Sequence, residues 1–150
     1  MVSAALPRAL LLEDIHPDAA VLLRSAGCDV EQLTRALEEA ELIRRLDGVD
    51  VLGIRSKTTV TAQVLNACPD LVAVGAFCIG TNQIDLPAAS AAGVAVFNAP
   101  FSNTRSVVEL AVSELIALTR RLTVKDALMH RGIWDKSASG SHEVRGRTLG

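Results

Sequence analysis

Residues 71–98 read LVAVGAFCIGTNQIDLPAASAAGVAVFN, and this stretch decides the fold. Residues 71–75 and 94–97 are short apolar runs, which predict buried β-strands. Residues 86–92 between them have helical spacing and are followed by Gly93, a residue that commonly ends a helix. Two strands joined through one helix by connections this short predict a right-handed βαβ unit in a parallel sheet.

The same alternation extends toward the amino terminus. Apolar runs at residues 9–12 and 49–54, and a weaker one around 29–33, predict three further strands, and segments 17–26, 38–46 and 61–67 predict helices between them. Apolar residues make up 49% of the chain and only 3% are aromatic, so a core of Val, Leu, Ile and Ala is expected, as in parallel sheets covered on both faces. The sequence therefore predicts a flavodoxin-like α/β fold of about five parallel strands.

The pattern changes after residue 99, where we place a domain boundary. Ser106 and Glu109 have the spacing of a capping box, which predicts a long helix beginning at Ser106. The broad apolar face of this helix indicates a large packing partner. The face consists of Leu110, Ala111, Leu115, Leu118 and Leu122. A short helix over residues 125–130, ended by Gly132, should follow it. We expect residues 1–99 to form one domain and 100–150 to begin a second. A turn at residues 146–150 that leads toward a strand predicts that the protein continues beyond Gly150.

Composition argues against several classes of function. The formal net charge is −2 with acidic and basic residues interspersed, so no basic stripe for nucleic acid is expected. No apolar stretch reaches the length of a membrane span. The three cysteines are widely spaced, which favours reduced thiols and a cytoplasmic location. The three histidines share no ligand spacing, so no metal site is expected.

Two groups of residues that follow predicted strands are candidates for binding an anion. Arg55, Ser56 and Lys57 follow the strand at 49–54, and a guanidinium at such a place can hold a carboxylate or phosphate by paired hydrogen bonds. The alternative is a salt bridge from Arg55 to Glu13 or Asp14.

Gly75 and Gly80 bracket the second group. The Lys of the phosphate-binding Gly-rich motif is absent, because Thr81 and Asn82 follow Gly80. A backbone cradle for a carboxylate is expected instead, with glycine supplying backbone angles closed to other residues. A plain strand-to-helix turn is the alternative.

A third candidate lies at the start of the long helix, where free amides and the positive end of the helix dipole favour an anion or a polar cofactor edge. We assign Asn103 to the substrate, and Thr104 and Ser106 to the cofactor. Capping alone also explains Ser106 and Glu109.

Four motifs carry a resemblance to a known family: IRSKT at 54–58, FCIGTNQID at 77–85, FNAPFSNTRS at 97–106 and HRGIWDK at 130–136. From about residue 9 to its end, the chain resembles the D-isomer-specific 2-hydroxyacid dehydrogenases, and most closely the branch that acts on a phosphorylated substrate. The resemblance implies NAD-dependent oxidation of 3-phospho-D-glycerate to 3-phosphonooxypyruvate, which begins L-serine biosynthesis. It also implies a second domain of the Rossmann type that holds NAD, and a homo-oligomer assembled through it.

The resemblance further assigns roles to residues. Arg55, Ser56 and Lys57 should contact the substrate, and the loop of Cys78, Ile79 and Gly80 should hold the substrate carboxylate, with Ile79 beside the nicotinamide. The catalytic Arg, Glu and His of the family should lie beyond Gly150, as should the residue that selects NAD or NADP. Residues 1–150 would then carry half of a substrate site and no group for proton transfer.

Three alternatives are weighed against this assignment. A sister enzyme acting on another D-2-hydroxy acid would share the fold. A non-catalytic α/β module that binds an acidic metabolite would share the anion sites. A signalling receiver domain would need an Asp after the third strand and a Lys after the fifth, whereas the chain has Arg55 and Asn98 there.

Overall fold

The computed structural model describes residues 6–150, which form two compact units. The first unit extends to Ser102 and the second comprises Asn103–Gly150. The predicted boundary lies at about residue 99, and the assignment of these units as domains stays a prediction. The identity of the second unit as the start of a dinucleotide-binding domain stays a prediction.

Between Leu6 and Ser102, five strands alternate with four helices. The strands are β1 Arg8–Leu11, β2 Asp29–Gln32, β3 Val51–Ile54, β4 Ala73–Ala76 and β5 Ala95–Asn98. The helices are α1 Pro17–Ser25, α2 Glu39–Arg45, α3 Ala62–Ala67 and α4 Leu86–Ala91. All strand pairs are parallel and the order is β2-β1-β3-β4-β5, which is the flavodoxin-like order. The predicted fold class is confirmed.

Local capping explains where several helices begin. The Thr61 hydroxyl accepts a hydrogen bond from the Val64 amide at 3.3 Å at the start of α3, and Asp85 Oδ1 accepts one from the Ala88 amide at 3.0 Å at the start of α4. Such side chains satisfy backbone donors that have no partner within the helix. These signals are local in sequence, so the predicted and observed starts agree closely.

Alternation along the strands divides the core between the two faces of the sheet. Leu10, Leu52 and Val74 are buried in the larger cluster, which contains side chains of α2, α3 and α4. Ala9 and Leu11 belong to a smaller cluster with α1. The α1 face is only partly covered within the first unit: an apolar concavity of about 570 Å³ lies there and Phe97 in β5 is 65% exposed.

Strand order positions the candidate site. The chain leaves β1 for β2 on one side and returns across the sheet to β3 on the other. The connections that leave β1 and β3 therefore diverge, and ligands of open parallel sheets bind in the crevice that this reversal opens. Glu13 follows β1 and Arg55 follows β3, so both lie at this crevice.

The second unit contains α5 Thr104–Thr119, α6 Leu122–His130 and an irregular segment that continues to Gly150. Arg121 separates the two helices with a left-handed φ of 54°. No residue of α5 is buried, and Leu110 and Leu118 on its predicted apolar face are 59% and 73% exposed. Residues 145 and 146 form a turn, and residues 147–150 form no strand.

The predicted capping box is wrong. The helix begins at Thr104 with Asn103 at the N-cap position, so Ser106 lies inside the first turn. Glu109 does not reach back to a cap; its Oε1 accepts a hydrogen bond from Arg105 Nε at 3.2 Å. This pair joins positions i and i+4 on the helix surface, which is a common stabilising arrangement that competes with capping.

Candidate functional site

Residues 55–58, here the β3 loop, directly follow β3. Arg55, Ser56 and Lys57 are exposed, whereas Thr58 is fully buried. The loop is therefore anchored at its end and presents three polar side chains toward solvent.

The buried carboxylate of Glu13 holds the main chain of the β3 loop. Its Oε1 accepts hydrogen bonds from the amides of Arg55 at 3.2 Å and Thr58 at 2.8 Å, and its Oε2 accepts one from the Lys57 amide at 2.9 Å. Burial would raise the pKa of the Glu13 carboxyl, but these bonds, above all that from Thr58, outweigh burial and hold its pKa below the usual value. Glu13 is thus a charged group satisfied by the backbone.

Within the part of the chain that the structure describes, the two cations of the β3 loop have no carboxylate partner. Neither Arg55 nor Lys57 forms an ion pair within 4.0 Å in residues 6–150; the Arg55 guanidinium donates to the Glu13 main-chain oxygen at 3.4 Å. The salt bridge considered as an alternative for Arg55 is therefore not what the structure shows. Arg35, the other cation of the same cleft, is paired with Glu41 at 2.6 Å. The cleft measures about 620 Å³.

Residues 77–80, here the β4 loop, directly follow β4. The carbonyl of Cys78 accepts a bond from the Ala99 amide at 3.0 Å, that of Ile79 accepts one from Asn98 Nδ2 at 2.8 Å, and that of Gly80 accepts the Cys78 thiol at 3.2 Å. Across the described chain, the amides of Cys78, Ile79 and Gly80 donate to no acceptor. Backbone donors left without a partner at a strand end can bind a carboxylate.

The predicted role of Gly75 and Gly80, to supply backbone angles closed to other residues, is not what the structure shows. Gly75 lies inside β4 rather than in the loop, and neither Gly75 nor Gly80 has a positive φ. A Cβ at Gly80 would stand 2.7 Å from Asn82 Oδ1, and one at Gly75 would stand 3.3 Å from the Phe77 ring. The glycines therefore provide space rather than unusual backbone angles.

The two loops lie side by side. Gln83 Nε2 donates to the Arg55 carbonyl at 2.8 Å, and the Phe77 amide donates to the Ile54 carbonyl at 2.8 Å. Six predicted site residues are thereby brought to one edge of the sheet: Arg55, Ser56, Lys57, Cys78, Ile79 and Gly80. Sequence reasoning did not assign Glu13, Gln83 or Asn98 to the site. A carboxylate that directly follows a buried strand was the signal for Glu13.

The remaining predicted residues belong to the second unit. Asn103, Thr104 and Ser106 are exposed at the start of α5, and Asn103 makes no side-chain capping bond. Their assignment to substrate and cofactor stays a prediction.

Two further features bear on the class of site. Residues 6–150 contain no group of three or more His, Cys, Asp or Glu side chains that could hold a metal ion. In the same residues no helix combines the length and apolar character that crossing a membrane requires.

The comparisons with known proteins agree with this fold. A family described as "D-isomer specific 2-hydroxyacid dehydrogenase, catalytic domain" matches residues 9–147. The chain therefore belongs to the D-isomer-specific 2-hydroxyacid dehydrogenase family.

Within this family, the chain is similar to enzymes named D-3-phosphoglycerate dehydrogenase. The chain is 50% identical over 142 residues to D-3-phosphoglycerate dehydrogenase of Haemophilus influenzae, which covers 94% of this chain and 35% of that protein. It is 48% identical over 141 residues to D-3-phosphoglycerate dehydrogenase 1 of Saccharomyces cerevisiae, covering 94% of this chain and 30% of the relative. The chain thus spans about a third of the length of these relatives.

A solved structure shares the fold. NAD⁺-bound 3-phosphoglycerate dehydrogenase of Entamoeba histolytica superimposes with a TM-score of 0.64 at 22% identity. The match covers 78% of this chain and 40% of that structure.

Proposed function

We propose that this chain supplies the substrate-binding part of an NAD-dependent D-3-phosphoglycerate dehydrogenase. Such an enzyme oxidises 3-phospho-D-glycerate to 3-phosphonooxypyruvate, the first step of L-serine biosynthesis. One observation carries the proposal. The β3 and β4 loops are joined by a hydrogen bond from the Cys78 thiol to the Arg55 carbonyl at 3.4 Å. Within residues 6–150 the first loop offers cations without a carboxylate partner, and the second offers backbone amides without an acceptor. A small molecule with an anion at each end fits this arrangement, and the names of the relatives agree with it.

Each loop has its own role in the proposal. Arg55, Lys57 and the Ser56 hydroxyl hold the phosphate, because a guanidinium and an ammonium suit its charge and oxygens. The amides of the β4 loop hold the carboxylate. Asn103 is also proposed to contact the substrate.

The cofactor in the proposal is NAD, as in the E. histolytica structure. Ile79 is 44% exposed beside the unpaired amides and would contact the nicotinamide, while Thr104 and Ser106 would meet a polar edge. NAD, when bound, supplies the acceptor for the hydride that leaves the hydroxyl-bearing carbon. Residues of this chain bind and orient the substrate, and none is assigned to receive the hydroxyl proton.

A chimera tests the proposal. Residues 1–150 replace the matching part of the H. influenzae relative, and NADH formation is followed with 3-phosphoglycerate and with D-glycerate. We expect turnover of 3-phosphoglycerate and a kcat/KM for D-glycerate lower by roughly 100-fold or more, because the phosphate contacts are lost.

The intact relative serves as the control. A folded chimera that binds NADH yet uses both substrates equally would contradict the phosphate assignment. One that oxidises neither would contradict the proposed activity and favour a binding module.

We also propose that the chain self-associates through the second unit, because α5 carries exposed apolar residues and exposed apolar patches of this kind mark protein interaction sites. Sedimentation of residues 1–150 at tens of micromolar should show a species larger than the monomer. Leu118→Glu should reduce it, and a wild-type chain that stays monomeric would refute the proposal.

A further inference from the structure

The main chain of Arg55 is held from both sides by side chains that lie far away in sequence. Its N–H donates to Glu13 Oε1 at 3.2 Å, and its carbonyl accepts from Gln83 Nε2 at 2.8 Å. Glu13 and Gln83 are 7% and 9% exposed, so both bonds are largely shielded from water. Buried hydrogen bonds to a charged acceptor are among the stronger ones in proteins.

The backbone at Glu13 is itself unusual. Glu13 and Asp14 have φ values of 62° and 56°, in the left-handed region that non-glycine residues seldom adopt. Their amides are held by the carbonyls of Arg35 at 3.2 Å and Leu33 at 3.3 Å. Unfavourable backbone angles of this kind persist only where the surroundings impose them, and they concentrate at functional sites. Here they accompany a carboxylate turned beneath the β3 loop.

This arrangement decides what the β3 loop can offer a ligand. Glu13 occupies the amides of Arg55, Lys57 and Thr58, so these groups are not available to a substrate anion. What remains is the Ser56 amide and the side chains, and the direction of a side chain depends on the main chain that carries it. We propose that Glu13 and Gln83 are positioning residues that aim the Arg55 side chain by fixing both of its peptide groups. The inference rests on the proposed binding of substrate by Arg55.

Electrostatic repulsion and positioning predict opposite effects of Glu13→Gln on the affinity for an anion. Its negative charge lies beside an anion site, so removing that charge should strengthen anion binding if Coulomb repulsion were its main effect. If Glu13 acts by positioning, Glu13→Gln weakens binding, because the new NH₂ group faces a backbone N–H instead of accepting from it.

Asp14 provides the matched control. It lines the same cleft, carries the same charge, and its carboxylate accepts no hydrogen bond from the described residues. Asp14→Asn removes one negative charge from the cleft without touching the β3 loop, and Asn tolerates a left-handed φ. The Asp14→Asn variant should bind anions as tightly as the wild-type chain or more tightly.

The experiment is an NMR titration of residues 1–150 with 3-phosphoglycerate. We expect Glu13→Gln to lower the affinity for 3-phosphoglycerate by roughly five- to tenfold, because one or two hydrogen bonds that orient a charged group are lost. Gln83→Met keeps the buried volume but removes the amide donor to the Arg55 carbonyl, leaving the weaker contact from the Cys78 thiol at 3.4 Å, and it should weaken binding to a similar extent. Gln83→Met still tests the positioning role if Glu13→Gln fails to fold.

A double-mutant cycle separates positioning from a general loss of structure. In an Arg55→Ala background, Glu13→Gln and Gln83→Met should change affinity by less than about twofold, because the side chain through which they act is gone. A merely structural role would leave the same loss in both backgrounds. Equal losses with and without Arg55, or stronger binding by Glu13→Gln, would overturn the inference.

The cycle also distinguishes this inference from the proposed function. If Arg55→Ala alone leaves the affinity unchanged, or if the wild-type chain binds no 3-phosphoglycerate, the proposed substrate site is wrong. If Arg55→Ala weakens binding and neither positioning variant does, only the inference fails.

Discussion

The loops that follow β3 and β4 lie side by side, yet they offer a ligand opposite kinds of groups. In the β3 loop Glu13 accepts from the amides of Arg55, Lys57 and Thr58, and the side chains of Arg55 and Lys57 have no carboxylate partner in residues 6–150. In the β4 loop the carbonyls of residues 78–80 accept hydrogen bonds, whereas the amides of the same residues donate to no acceptor in residues 6–150. The β3 loop therefore offers charged side chains to a ligand, and the β4 loop offers backbone dipoles.

This difference suits a substrate with two unlike anions. A phosphate carries more charge and more oxygens, and cationic side chains can adapt to it. A carboxylate is planar and small, and a row of amides held by the fold can receive it with little loss of conformational freedom. Binding through side chains should respond strongly to substitution and to salt, and binding through amides only weakly to either.

The largest expected effect comes from Arg55→Ala in the chimera. Removing a charge-assisted pair should cost about 1.5 to 3 kcal/mol, which is roughly a 10- to 150-fold loss of affinity for 3-phosphoglycerate. NADH affinity should change by less than about threefold. Substrate titration and NADH binding on one variant measure both quantities.

Arg45→Ala is the matched control for that experiment, since Arg45 is a cation of the first unit that pairs with Glu31 at 2.7 Å. It should leave the KM for 3-phosphoglycerate unchanged. An unchanged KM in Arg55→Ala, accompanied by a lower Tm, would mean that the β3 loop is structural and that the comparison between the loops is wrong.

The next effect concerns stability and pH. Glu13→Gln should lower the free energy of unfolding by about 1 to 3 kcal/mol near neutral pH, because buried amides lose an acceptor. The folded-state pKa of Glu13 lies below its ordinary value of 4.5, so its contribution is fully present above that value. It is lost as pH falls through the folded-state pKa.

Urea unfolding of both proteins from pH 7 down into the acid range measures this difference. The gap in unfolding free energy should stay constant above about pH 5 and close as the pH falls below 4.5. A gap that stays constant in acid would show that the carboxylate charge contributes nothing to holding the β3 loop.

A smaller effect is expected at the β4 loop from Asn98→Ala. The variant loses the bond from Nδ2 to the Ile79 carbonyl, which helps to orient the neighbouring amides. One neutral hydrogen bond is worth about 0.5 to 1.5 kcal/mol, so affinity should drop roughly 2- to 12-fold. Asn66→Ala, at an exposed position of α3, should leave the affinity unchanged.

The finest test uses amide chemical shifts. Addition of 3-phosphoglycerate to residues 1–150 should move the amide protons of Ile79 and Gly80 downfield, because they acquire an acceptor. The amides of Lys57 and Thr58 already have one and should move little. Equal movement in both loops would contradict the division of roles between side chains and amides.

Most of the first unit could be read from sequence because its signals are local. Apolar runs, N-cap residues such as Thr61 and Asp85, and glycines after helices all lie within a few positions of the element that they mark. The parallel pairing of the strands followed from their alternation with helices through short connections. The start of α5 was misjudged because Asn103 and Ser106 are both acceptable N-caps, and local chemistry does not choose between them.

The sequence by itself determined which residues reach the edge of the sheet, since Arg55 and Gly80 follow strands that periodicity reveals. Only the tertiary structure decided which of their groups are unpaired. Glu13 lies 42 residues before Arg55, and Gln83 lies 28 residues after it, so neither contact leaves a local pattern. A hydrogen-bonding group is available to a ligand only when the fold gives it no partner, and that partner can come from any part of the chain.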